Sequence, residues 1–121
     1  MENENTNANW YVVRVFSGHE NKVKNLIEAE IRDDEALSSR IFEVLVPTEK
    51  VFEVKDGKKK TKIKNFFPGY ILIQADLDNK VKDFIVNSVS VMGFLGDKTK
   101  PNPLQPDEVK RIVGRISKRD E

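Results

Sequence analysis

Phe66-Phe67-Pro68-Gly69-Tyr70-Ile71-Leu72-Ile73 is the stretch from which the fold of this chain can be read. Proline fixes φ and glycine accepts positive φ, so Pro68-Gly69 makes a tight bend at low strain. The bend delivers the chain into a strongly apolar strand opened by Tyr70. Adjacent residues of an extended segment point to opposite faces, so Phe66 and Phe67 cannot enter the same core. A ring left outside must cap an edge or lie on the surface. A core strand with an aromatic lid accounts for this, and so does an aromatic platform for a partner, since aromatics concentrate where interfaces draw their energy.

The 121 residues match one domain with a single core of modest size. Lys and Arg number 21 against 20 Asp and Glu, so net charge alone does not announce a nucleic-acid binder. The distribution is more informative: residues 55–64 hold six lysines and one acid. The absence of cysteine excludes disulfide frameworks and thiolate metal sites. No apolar run approaches the roughly 18 residues of a membrane span, and no apolar segment follows the N-terminus as a signal peptide requires. The expectation is a cytoplasmic protein, monomeric, with no membrane partner.

Working outward from the corner, residues 1–9 are polar and asparagine-rich and read as a disordered leader. Trp10-Tyr11-Val12-Val13-Arg14-Val15-Phe16 is apolar almost throughout, which suits a central strand covered on both faces. Ser17-Gly18-His19-Glu20 has capping-box spacing, with the Ser17 hydroxyl and the Glu20 carboxylate serving each other's amides. A helix to about Arg32 follows, with Val23, Leu26, Ile27 and Ile31 at amphipathic spacing. Residues 33–40 read as a loop. Strands are expected over 41–47 and 51–54. Asp56-Gly57 is a strong hairpin signal that sets Lys55 opposite Lys58 and Glu53 opposite Lys60. The returning arm from Lys58 to Lys64 has nothing to fill a core, so the hairpin projects into solvent.

After the Tyr70 strand, Asp78 is an N-cap for a helix with Val81, Phe84, Ile85 and Val89 inward. A last strand spans 91–95. Pro106 at a first helical position, followed by Asp107 and Glu108, opens a third helix with an apolar stripe of Val109, Ile112, Val113 and Ile116. The order predicts an α+β fold of ferredoxin-like split βαβ type. Its four-stranded, mainly antiparallel sheet has helices on one side, and the hairpin is an insertion.

No catalytic constellation emerges. The single histidine, His19, sits at a helix start, and no serine lies in a nucleophile elbow. Glycines are too scattered to cradle a phosphate and metal ligands never cluster, so neither cofactor nor metal is expected. This is not an enzyme. Two binding readings remain. The RNA-recognition module shares the split βαβ plan but carries a basic-Gly-aromatic-Gly-aromatic-Val string on a central strand. Phe67-Pro68-Gly69-Tyr70-Ile71-Leu72 lacks the basic residue and the second aromatic in register.

The other reading rests on five blocks. Trp10-Tyr11-Val12-Val13 with Ser17-Gly18-x-Glu20, then Val46-Pro47-Thr48-Glu49, then Phe66-Phe67-Pro68-Gly69-Tyr70, and Val91-Met92-Gly93-Phe94-Leu95-Gly96 stand in one order around a basic hairpin. Together they resemble the N-terminal (NGN) domain of the NusG family of transcription elongation and termination factors, over residues 10–116. The resemblance implies that an aromatic and aliphatic depression binds the clamp helices of the RNA polymerase β′ subunit. That role would pass to Trp10, Phe67, Pro68, Gly69 and Tyr70, with Phe94 and Leu95 beside them, while Phe66 is left to the core.

Further roles come from the same resemblance. The domain would bridge the polymerase cleft and modulate elongation, pausing, antitermination and termination by shifting populations. The helix after Asp78 would face the β-subunit lobe. Arg14, His19 and Lys22 would approach upstream DNA, and Asn87 and Ser88 the non-template strand, with Lys58, Lys59 and Lys60 adding long-range attraction. Rho and the ribosome would be reached only through a KOW domain, to which residues 117–121 would begin the linker. Two alternatives stay open: a stand-alone single-stranded nucleic-acid binder of split βαβ type, and an operon-specific NusG paralogue.

Overall fold

The computed structural model describes residues 8–96 and 101–115. Residues 1–7 of the expected leader, Ile116 of the third helix and residues 117–121 lie outside this range. Ten elements follow one another: β1 (Asn9–Val15), α1 (Glu20–Asp33), α2 (Glu35–Ser38), β2 (Ile41–Leu45), β3 (Thr48–Lys55), β4 (Lys58–Asn65), β5 (Tyr70–Ala75), α3 (Asn79–Val86), β6 (Val91–Phe94) and α4 (Pro106–Val113). The principal sheet runs β2-β5-β1-β6, every pair antiparallel, and β3 and β4 form a separate ribbon. This is the expected split βαβ plan with a hairpin inserted between β2 and β5.

Strand alternation sorts the apolar residues of β1 and β5 onto two faces. Val13, Val15, Ile71, Ile73 and Ala75 point to one side, where Val23 and Ile27 of α1 and Val81 and Ile85 of α3 cover them. Ile71, Ile73 and Val13 have no exposed surface, each a gain of about 2 kcal/mol over an exposed position. Trp10, Val12, Leu45 and Leu72 point to the other side, and there Leu104, Val109, Ile112 and Val113 pack on them. Helices therefore lie on both faces of the sheet, not on one. The near-continuous apolarity of β1 demands this, because a single layer of helices would leave half of its side chains in water.

Three local expectations also change. The segment read as a loop after α1 contains the short helix α2, capped by Asp34, whose Oδ1 accepts from the amides of Ala36 and Leu37 at 3.0 and 3.3 Å. That turn buries Leu37. Val89 is exposed, because α3 ends at Val86 and the chain turns away before reaching it. β3 begins three residues earlier than expected, pairing Thr48 with Asn65. The Asp78 cap forms as expected, Oδ1 accepting from Val81 N–H at 2.8 Å. Asp56 and Gly57 both take positive φ (56° and 76°), the primed-turn geometry that matches strand twist. Among the described residues no helix is long and apolar enough to cross a membrane.

Candidate functional site

The Phe66–Tyr70 corner is held by a residue far away in sequence. Gly69 has φ 88°, a conformation that disfavours any Cβ. Its N–H donates to Glu20 Oε2 at 2.6 Å, and Gly18 N–H donates to the other oxygen, Oε1, at 3.1 Å. The Gly69 carbonyl accepts from Val15 N–H at 2.9 Å. The expected capping box at Ser17 does not form: the N-cap of α1 is His19, with no side-chain cap bond. Glu20 turns instead toward the corner, where the Gly69 amide would otherwise be without an acceptor. It is only 7% exposed. Burial raises its pKa, but hydrogen bonds from the backbone amides of Gly69, Glu20 itself and Gly18, with a contribution from His19, outweigh this and hold the carboxyl below the usual range.

Beside this fixed corner the outer face of the sheet is incompletely covered. A depression of about 310 Å³ opens between β1, β5 and α4, lined by Val12, Phe67, Tyr70, Leu95, Leu104, Glu108 and Ile112. Six of these seven are apolar or aromatic. Phe67 is exposed and meets Tyr70 edge-on, ring centroids 6.3 Å apart. Phe66 stands behind Phe67 at 5.4 Å, half-buried, with the Arg115 guanidinium 4.1 Å above its ring. Arg115 is itself fixed by a two-pronged pair with Glu49 at 2.8 and 2.9 Å. That hydrogen bond lowers the Glu49 pKa and raises that of Arg115. Leu104 N–H donates to the Trp10 carbonyl at 2.8 Å, tethering the approach to α4 along β1.

The structure thus brings Phe67, Tyr70 and Leu95 into one depression, with Pro68 and Gly69 at an adjoining hollow shared with Arg14, Phe16 and Met92. Trp10 is 9% exposed and lies in the apolar cluster with Val12, Leu45 and Leu72. Phe94 belongs to the opposite face, edge-on to Tyr11 at 5.9 Å and packed against the larger core. Val12, Leu104, Ile112 and Glu108 are lining residues that sequence reasoning did not single out. Of these only Ile112 belonged to the expected apolar stripe of α4, and that stripe was a signal for this face only if α4 covered it.

The residues expected near nucleic acid occupy separate regions. Arg14 and Lys22 are exposed near the start of α1, and His19 Nδ1 is 2.8 Å from Ser90 Oγ. Asn87 and Ser88 follow α3, their side chains donating to the Asp83 and Phe84 carbonyls at 2.8 and 2.9 Å. Lys58, Lys59 and Lys60 are exposed at the far end of the hairpin.

Known proteins resemble this chain in sequence and in fold. The family model described as "Transcription termination factor nusG" matches residues 8–113. The transcription termination/antitermination protein NusG of Staphylococcus aureus strain Mu50 is 39% identical over 110 residues, 88% of this chain and 60% of that protein. The protein of the same name from strain N315 matches to the same extent. The chain therefore spans about 60% of the length of these curated relatives. A solved structure, "Domain interaction in Thermotoga maritima NusG", matches with a TM-score of 0.72 over 93% of this chain and 59% of that one, a likeness of fold at 23% identity. With the family model spanning nearly the whole described fold, the chain belongs to the NusG family of transcription termination and antitermination factors.

Proposed function

We propose that this domain docks on RNA polymerase through the depression between Phe67, Tyr70, Leu95 and α4. Its seat would be the tip of the β′ clamp helices. The observation that carries the reading is an open apolar hollow, bounded by rings that a buried carboxylate holds in place. Such a surface offers a helical tip rigid aromatic anchors at low entropy cost. Trp10, buried next to it, acts as support and not as a contact. Phe94 acts from the other face, by bracing β6 against Tyr11 so that Leu95 is presented.

From that seat the domain spans the cleft, with α3 toward the β-subunit lobe, and shifts the balance among elongating, paused and terminating complexes without chemistry. Arg14, His19 and Lys22 then lie toward upstream DNA, and Asn87 and Ser88 toward the non-template strand. Binding to purified core RNA polymerase tests the reading. Tyr70→Ala, shown by circular dichroism to be folded, is expected to weaken binding about 30-fold or more, as for a central interface anchor. Replacing Lys58, Lys59 and Lys60 by serine should leave that affinity nearly unchanged. Unaltered binding by Tyr70→Ala refutes the assignment, and dependence on the three lysines alone favours a stand-alone nucleic-acid binder.

A further inference from the structure

The β3–β4 ribbon carries a second surface, distinct from the docking depression. Its pairing places Lys50 opposite Ile63, Phe52 opposite Thr61 and Val54 opposite Lys59 on one face. Phe52, Val54 and Ile63 are 65%, 75% and 58% exposed, a degree of apolar exposure that contributes nothing to the core. The other face takes Glu49 and Glu53, and both already have partners, in Arg115 and in Lys62 at 3.9 Å. No acid from either strand therefore reaches the Phe52 face. Over β3, the turn and β4, seven lysines meet three carboxylates, a net of +4 in a chain whose total is only +1. The positive charge of the molecule is concentrated on this arm, around an exposed ring.

We infer that the Phe52 face of the ribbon binds single-stranded nucleic acid, stacking a base on Phe52 while Lys50 and Lys59 meet the flanking phosphates. Charge complementarity selects a polyanion, and the exposed ring selects one that has flat aromatic groups to offer. Lys59 Nζ now stands 4.9 Å from the centre of the Phe52 ring. A base that takes this place frees the ammonium for a phosphate, and base stacking on an aromatic outweighs an exposed cation–π contact. Thr61, across from Phe52, adds a hydroxyl next to the stacked base. Duplex DNA keeps its bases inside and gains only the charge contribution.

The test needs no polymerase, so it is independent of the docking reading. A fluorescein-labelled twelve-nucleotide oligo(dT) is titrated with the 121-residue chain at several salt concentrations. Phe52→Ala should weaken binding by roughly 5- to 100-fold, the range for loss of one stacked base. Phe52→Trp should retain binding, with its added fluorescence quenched on complex formation. Lys50→Gln with Lys59→Gln should flatten the salt dependence by about 1.4 in log–log slope, two phosphate contacts on a single strand. The inference is overturned if wild type does not bind at low salt, or if Phe52→Ala binds as wild type does. It is equally overturned if duplex of the same length binds as tightly as oligo(dT), or if polyglutamate competes as well as the oligonucleotide. Because Phe52 is solvent-exposed, its substitution leaves the core intact, which circular dichroism of each variant verifies.

Discussion

Replacing Glu20 by glutamine should destabilise the domain in a way that depends on pH. The carboxylate accepts one charge-assisted hydrogen bond from Gly18 and another, at 2.6 Å, from Gly69. Glutamine keeps one acceptor oxygen but turns its NH₂ group toward the second amide, leaving a donor facing a donor. A hydrogen bond to a charged group contributes about 1.5–3 kcal/mol, and a buried amide left unsatisfied costs about 1–3 kcal/mol. These are two descriptions of the same loss, so they are not added. The expected destabilisation is about 2–3 kcal/mol at pH 7. With a urea m-value of about 1–3 kcal/mol/M, the unfolding midpoint should fall by about 0.7–3 M.

The pH dependence follows from the lowered pKa of Glu20. The unfolded chain binds this proton at a higher pH than the folded one, so the stabilisation is complete above the ordinary glutamate value. It is lost as pH falls through the lower, folded value. Wild type and Glu20→Gln should therefore differ fully at pH 7 and pH 5.5, and the gap should narrow as pH falls below the ordinary glutamate value, closing only once the folded carboxyl is itself protonated. Urea melts followed by circular dichroism at these pH values provide the comparison. A gap under about 0.5 kcal/mol at pH 7, or one of equal size at pH 7 and pH 3, would refute the argument that a charged Glu20 secures the corner.

Two further outcomes are expected at single sites. Asp78→Ala removes the acceptor for Val81 N–H and one partner of Arg40, which bridges Asp76 at 2.9 Å and Asp78 at 3.2 Å. It should cost about 1 kcal/mol, mostly from the cap, read as a shift in the urea midpoint without a change of slope. Arg115→Gln takes the guanidinium from Glu49 and from the Phe66 ring, so the Glu49 carboxyl should titrate at a higher pH. Carbon-13 NMR of the Glu49 carboxyl measures this directly, and an unmoved titration would mean the pair does not persist in solution.

Much of the fold was legible because it depends on short-range rules. Asp56-Gly57 takes up two positive φ angles, Pro106 opens a helix, and Asp78 caps one, all from preferences set within four residues. The apolarity of β1 suited a strand covered on both faces, yet the expected plan put the helices on one side, because the helix pattern alone did not place α4 on the outer face. Ser17-x-x-Glu20 misled for the opposite reason. Its local capping signal competes with an amide 49 residues away, and a sequence window contains no information about that competitor. The short helix α2 was missed because Asp34 and Glu35 look like loop residues until Leu37 is seen to be buried.

The candidate surface divides along the same line. Phe67 and Tyr70 stood out at the aromatic corner, Leu95 was named only through the family resemblance, and the three meet in one depression. Val12, Leu104, Glu108 and Ile112 could not, since their place depends on α4 crossing the outer face of the sheet. Phe94 shows the limit most plainly. It is adjacent to Leu95, yet strand alternation sends it to the opposite face. By itself the sequence determined most of the elements, their turns and which side chains are apolar, because backbone dihedrals and periodicity are local properties. The tertiary structure alone decided which faces those elements share and which distant carboxylate holds the corner, because packing and long-range hydrogen bonds join residues that no local pattern connects.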